Sequence, residues 1–152
     1  MEHLPLDGDP ADTVADLLAR RLLTPERAQA VDVTAIRRFL ASSLAEELRG
    51  ADRVEREFRF SLLVPAGDYY RDMAEEDRVL LQGVVDLFAV TAEGITVVDF
   101  KTDYVTEETL PAKADYYRPQ LAAYSAALER IMEKPVVRRV LWFFRTGQAV
   151  EV

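Results

Sequence analysis

The chain has no cysteine, one histidine and six glycines in 152 residues. The first absence excludes disulfides, thiolate zinc sites and iron–sulfur clusters. No apolar run is long enough for a membrane span, and the N-terminus lacks the charged-then-apolar order of a signal peptide. A soluble, cytoplasmic protein without a membrane partner is the expectation. There is no internal repeat and no Gly-rich phosphate loop. His3, close to the chain end, reads as a solvated side chain, with a metal role as the alternative. Basic residues are also in deficit, 19 Lys and Arg against 27 Asp and Glu, for a formal charge of −8. That balance argues against a free-standing nucleic-acid binder, whose footprint is a basic face. If DNA is the substrate, other chains or domains must help to hold it.

What is present is the composition of a soluble globular domain, 49% apolar or aromatic and 30% charged, in a chain long enough to bury a core. The most informative stretch runs from Gly83 to Thr102, GVVDLFAVTAEGITVVDFKT. It predicts two short strands, Gly83 to Val90 and Ile95 to Lys101, joined by a turn at Thr91-Ala92-Glu93-Gly94. Both runs are apolar on both faces, so the sheet should be covered on both sides. Asp86, Asp99 and Lys101 are the exceptions, and a buried charge must be paired or bound to a cation. If the four turn residues are unpaired, Val90 faces Ile95 and Asp86 faces Asp99, two like charges that a divalent cation would reconcile. Asp99 and Lys101 then share a face, with Asp86 joining them across the ladder. In the other register only Glu93 and Gly94 turn, Asp86 faces Lys101, and the pair is an ordinary cross-strand ion pair.

Around this hairpin the sequence predicts helices that cover the sheet. Met1 to Pro10 reads as a lead-in. From Ala11 to Leu23 the residues Val14, Leu17, Leu18 and Leu22 form one stripe. Thr24-Pro25-Glu26 has the form of an N-cap opening a short helix. Another helix should start at Asp32 or Thr34 and run to Leu48, with Gly50 past its end. Arg53 to Val64 alternates, with Val54, Phe58, Phe60, Leu62 and Val64 on one face and Glu55, Glu57, Arg59 and Ser61 on the other. Glu57 could lean toward the Asp86 face, or sit on a wet strand face. Pro65 to Asp77 reads as a mobile surface loop. Asp103 to Ala114 should be irregular, followed by a helix from Arg118 to Lys134 opened by Pro119. Gln120 and Tyr124 share a face of that helix. Their polar groups need partners, such as a phosphodiester or the strand carboxylates, unless Tyr124 is simply core and Gln120 its polar edge. Val136 to Arg145 is a strand, with a turn at Thr146-Gly147-Gln148 and a short terminal strand.

Glu57 in a strand, Gly83-Val-Val-Asp86, Asp99-Phe100-Lys101 and Gln120-Leu-Ala-Ala-Tyr124, in that order, resemble the PD-(D/E)XK nuclease superfamily and, through the Gln/Tyr helix, its RecB-like branch. The helix YRPQLAAYSAAL and the tail WFFRTGQAVEV are most similar to the C-terminal nuclease domains of AddA-type helicase–nuclease subunits. The resemblance implies a restriction-endonuclease-like α/β fold, a mostly antiparallel-to-mixed sheet flanked by helices. It also implies an Mg²⁺-dependent (Mn²⁺ possible) deoxyribonuclease of the exonuclease type that processes double-strand breaks for recombinational repair. DNA would arrive as a single strand from helicase domains, and an AddB-like subunit would be the protein partner. In that family, residues matching Asp86 and Asp99 bind the metal, the carbonyl of the residue matching Phe100 adds a ligand, and the one matching Lys101 assists catalysis. Those matching Gln120 and Tyr124 complete the site, with the match to Glu57 nearby. The resemblance favours the register with Asp86 beside Asp99.

Two departures stand out. RecB-like domains carry a metal-binding His in a G-x-x-x-H context near their start, and His3 has no such context. The expectation is therefore a single nuclease domain over residues 1–152 that is an excised C-terminal fragment, with a helical lead-in over 1–52 and the catalytic sheet over 53–152. A catalytically weak or inactive docking module is the alternative. The cysteines of the iron–sulfur relatives are absent, which disfavours the AddB-like and CRISPR-associated members.

Overall fold

The computed structural model describes residues 5–68 and 77–152; His3 and most of the segment expected as a loop, residues 69–76, lie outside it. Four helices come first: α1 (Pro10–Ala19), α2 (Pro25–Ala30), α3 (Val33–Leu40) and α4 (Ser43–Arg49). A strand pair follows, β1 (Arg53–Pro65) and β2 (Arg78–Val90), then β3 (Ile95–Lys101), α5 (Leu110–Met132), β4 (Val136–Phe143) and β5 (Gln148–Glu151). The five strands form one mixed sheet in sequence order. All neighbours are antiparallel except β3 and β4, which run parallel. A parallel connection needs a crossover, and α5 supplies it. The α/β class and the mixed sheet are as the sequence predicts.

Apolarity on both sheet faces is used by two helical layers. On one face Leu87, Ala89, Val98, Val140 and Trp142 pack against Phe39, Leu44 and Leu48 of α3 and α4. On the other, Val85, Phe88, Ile95 and Val97 pack against Ala127 and Leu128 of α5. Phe39 and Phe88 are fully buried, each worth about 1.5–3 kcal/mol of transfer free energy. Phe39 makes edge contacts with Phe100, Trp142 and Phe144. This aromatic cluster packs at the C-terminal ends of β3 and β4, and the end of β3 carries Asp99 and Lys101.

The helices depart from expectation in three places. The first ends at Ala19, because Arg21 takes a left-handed φ of 59°. Leu18 and Leu22 are consequently 38% and 53% exposed, and only part of the expected stripe packs inward. Asp32 caps α3 as expected, but the single helix to Leu48 is two. Ser42 Oγ accepts from Ala45 N and donates to the Phe39 carbonyl, so the chain stops one helix and starts another. Such a cap is worth about 1 kcal/mol. Finally, α5 begins at Leu110 rather than Arg118, with Pro111 in the first-turn position and Pro119 inside the helix. The extra turns are held by tertiary contacts: Ala114 is buried, and Lys113 and Tyr117 both bond to Asp103. Thr24 caps α2 as the sequence indicates.

The lead-in is anchored, since Leu6 is buried against the α3 and α4 layer. Pro65 ends β1 and residues Ala66–Asp68 form one 3₁₀ turn, with Ala66 buried.

β1 does not keep one set of faces. Val54 packs toward α3 and α4, whereas Phe58, Phe60 and Leu62 pack toward α5. Between them Glu57 adopts φ 48°, a left-handed conformation that non-glycine residues avoid. It reverses the alternation and corrects the expectation of a single face from Val54 onward. β2 changes phase beside it, for Val85 and Phe88 both face α5, which an unbroken strand would not allow.

Candidate metal centre and catalytic cluster

The turn leaves Val90 paired with Ile95, and the ladder continues through Leu87 and Val98. One further step in the same register sets Asp86 across from Asp99. The ladder stops there, and the Asp86 side chain takes over: its Oδ2 accepts from the Phe100 N–H at 2.8 Å. N–H and C=O of one strand residue point to the same side, so the Phe100 carbonyl shares that gap. On the other side of β2, Phe58 pairs with Val85 and Arg56 with Leu87, which sets Glu57 across from Asp86. Glu57 is half-buried and holds its left-handed backbone at this point. Strain of this kind costs about 1–3 kcal/mol and gathers at functional sites.

Asp99 is 2% exposed. Its Oδ2 lies 2.5 Å from Lys101 Nζ in a buried ion pair. Burial pushes the Asp99 carboxyl above the usual range; Lys101 pulls it back, and the Asp86 charge pushes it further up.

Lys101 faces α5, as its spacing from Asp99 predicts. Its Nζ donates to Gln120 Oε1 at 2.9 Å, and Gln120 Nε2 donates to the Tyr124 hydroxyl oxygen at 2.8 Å. The orientation of the amide is forced, because an ammonium has only donors and must meet the amide oxygen. Tyr124 therefore keeps its own O–H free to donate. Its phenol is pushed up by burial, pulled down by Gln120, and pushed up again by the charges of Asp99 and Asp86. The ring packs edge-on against Phe60. Gln120 and Tyr124 are thus joined to the strand residues, while Tyr124 is core as well.

Sequence reasoning missed Tyr117 and Asp103. Lys101 Nζ stands over the Tyr117 ring, 3.8 Å from its centroid. Tyr117 donates its hydroxyl to Asp103 Oδ2 at 2.8 Å, and Lys113 Nζ donates to Oδ1 at 2.7 Å. Bonds from Lys113 and then Tyr117 hold the Asp103 carboxyl below its usual range. Burial, then the bond to Asp103, pushes the Tyr117 phenol up to about 12. The helical spacing of Tyr117 from Gln120 was the available signal, and it is invisible to a reading that starts the helix at Arg118.

Among the described residues, no group of three or more His, Cys, Asp or Glu is placed to hold a metal ion. The Asp86 and Asp99 carboxylates, at facing positions of β2 and β3, and the Phe100 carbonyl beside them are hard oxygens of the kind that Mg²⁺ or Mn²⁺ takes. Also among the described residues, no helix is long and apolar enough to cross a membrane.

The sequence is 35% identical to an ATP-dependent helicase/nuclease subunit of Acetivibrio thermocellus over 97% of this chain and 12% of that protein. It is 35% identical to the subunit of the same name in Desulforamulus reducens, over 100% of this chain and 13% of the relative. For Bacillus velezensis the identity is 32% over 99% of this chain and 13% of the relative. The chain therefore spans about an eighth of the length of these relatives. A family profile, the PD-(D/E)XK nuclease superfamily, matches residues 2–151. With that match over nearly the whole chain, and with Asp86, Asp99 and Lys101 gathered at one end of a mixed sheet, the chain belongs to the PD-(D/E)XK nuclease superfamily.

Proposed function

We propose that this chain is one nuclease domain that hydrolyses DNA phosphodiesters with Mg²⁺, or Mn²⁺ in its place, and that it acts as an exonuclease on single strands. The observation that carries the reading is the buried Asp99 carboxylate, one ladder step beyond the Leu87–Val98 pair and so across from Asp86, with the Lys101 ammonium 2.5 Å from its Oδ2. Asp86, Asp99 and the Phe100 carbonyl would hold the ion. When bound, Mg²⁺ supplies Lewis acidity toward the scissile phosphate and makes a nearby water more acidic. Lys101 places a positive charge where negative charge grows on the phosphorus-bound oxygens, and Gln120 fixes the direction of that ammonium. Tyr124 offers its free O–H to an anionic oxygen. Glu57, across the strand from Asp86, is positioned to accept a proton from water. Hydrolysis forms a bond from water oxygen to phosphorus and breaks the ester bond, and the departing oxygen leaves with a proton.

The relatives are named as helicase/nuclease subunits, so the proposed setting is a cytoplasmic complex in which helicase domains deliver the strand and an AddB-like subunit is the partner. A net charge of −8 is consistent with DNA being held largely by those other parts. The test is cleavage of labelled single-stranded DNA in MgCl₂ by the parent, Asp86→Ala and Lys101→Ala. If both variants cut as fast as the parent, the assignment is wrong. The same acidic charge favours a second reading, a docking module without activity. Absence of Mg²⁺ and Mn²⁺ binding in calorimetry, together with tight binding to the helicase partner, would establish it.

A further inference from the structure

We propose that Tyr117 is a positioning residue for Lys101: its ring face holds the ammonium in the catalytic cluster, and the loop after β3 holds the ring. The inference rests on the nuclease reading above. Lys101 is the residue that reading relies on, and three groups meet its ammonium. Asp99 Oδ2 lies 2.5 Å away, Gln120 Oε1 2.9 Å, and the Tyr117 centroid 3.8 Å. The side chain is 12% exposed, so water solvates it little. A lysine stem is flexible, with rotamer freedom that must be restrained for the charge to stay in one place. Asp99 and Gln120 hold the ammonium by its polar hydrogens. A ring face supplies the third, because its quadrupole is negative at the centre and attracts a cation most strongly where water is excluded.

The ring is itself fixed. Tyr117 donates to Asp103, which lies just beyond β3 and also takes a bond from Lys113 one turn earlier on α5. Tyr116 meets the ring edge-on at 5.0 Å. The segment that carries Lys101 is thus tied to the helix that carries Gln120, and Tyr117 stands at the junction. The phenol stays protonated in the working pH range, so the ring presents a neutral face.

The test compares Tyr117→Leu, which removes the face, with Tyr117→Phe, which keeps it, in the whole 152-residue chain, using labelled single-stranded DNA in saturating MgCl₂. The Leu variant should lose about tenfold in kcat with KM little changed, and the Phe variant at most about threefold. In a Lys101→Ala background, Tyr117→Leu should cost nothing further, since a residue acting through Lys101 has nothing left to position. Lys101 side-chain proton shifts in the metal-free protein give a readout independent of cleavage. The Cε protons should sit upfield from the ring current, return to ordinary values in Tyr117→Leu and stay shifted in Tyr117→Phe. Unshifted Cε protons in the parent, or an equal further loss in the Lys101→Ala background, overturn the proposal. Parent-like cleavage by Lys101→Ala removes the nuclease reading instead, and the shifts still decide whether Tyr117 holds the ammonium.

Discussion

Asp86 accepts a hydrogen bond from the backbone of Phe100 at the step where the β2–β3 ladder ends. A side chain here does what a strand carbonyl does elsewhere, and in doing so it opens a gap between the two strands. The Phe100 carbonyl lies on the same side of β3, and Asp99, one residue back, turns its carboxylate to Lys101. The link is structural as well as chemical, and variants separate the two roles.

Asp86→Asn keeps an oxygen that can accept from Phe100 while removing the charge. Its melting temperature should stay close to the parent's. Affinity for Mn²⁺ or Mg²⁺ should fall by at least about tenfold, because a hard cation depends on ionised oxygen donors. Calorimetry with each ion and thermal melts without metal check the two halves. A large drop in melting temperature together with unchanged metal binding would mean that Asp86 serves the fold alone.

Tyr124→Phe deletes the hydroxyl that accepts from Gln120 Nε2. The amide loses a partner inside a partly buried site, at a cost of about 1 kcal/mol in urea unfolding. Cleavage should fall more than stability does, since in the proposed mechanism the removed O–H is also the donor offered to the phosphate. Comparison of kcat with the unfolding midpoint tells these apart.

Asp103 gives the pH dependence. Lys113 and Tyr117 depress its folded-state pKa below the ordinary 3.8. A depressed carboxyl contributes stability that is fully present above the unfolded value and is lost as pH falls through the folded one. Asp103→Asn should therefore be less stable than the parent at neutral pH, by under about 1 kcal/mol for so accessible a pair. The difference should narrow as pH drops below about 3.8. Urea melts at neutral and acid pH measure it, and a gap that does not depend on pH would show that the ion pair contributes nothing.

The apolar runs on both sides of Thr91–Gly94 leave two registers of the hairpin open, and the resemblance favours the one observed, in which Val90 faces Ile95. The role of Glu57 was not legible. An alternating pattern such as Val54 to Val64 cannot announce a left-handed residue in its midst, and without it the faces are assigned wrongly. Pro119 misled for a related reason: it resembles a helix opener, and only the bonds from Asp103 to Lys113 and Tyr117 explain why the helix extends back to Leu110. Those bonds join residues far enough apart in sequence that local propensity says nothing of them. Ser42 was legible in principle as a cap, but the apolar periodicity on both sides of it reads as one continuous helix.

Gly83 opens the stretch that ends in the charged cluster, and its lack of a side chain is itself a requirement of the site. A Cβ built there would lie 2.8 Å from Cε1 and Cζ of Phe60 and 3.0 Å from Cε1 of Tyr124. Neither ring can simply move aside: Phe60 is buried, and Tyr124 packs in the same core. Overpacking of this kind costs about 1–3 kcal/mol, so Gly83→Ala should lower the urea midpoint. Phe60 packs edge-on against Tyr124, whose hydroxyl accepts from Gln120, and Gln120 accepts from Lys101, so the strain should pass along these contacts. Cleavage should then fall further in Gly83→Ala than in Tyr124→Phe, although no reacting group has been touched. A Gly83→Ala, Phe60→Leu double variant, with a smaller side chain beneath the new methyl, should recover part of the lost stability. If instead Gly83→Ala matched the parent in both measurements, the tight approach of β2 to α5 would have no bearing on the site.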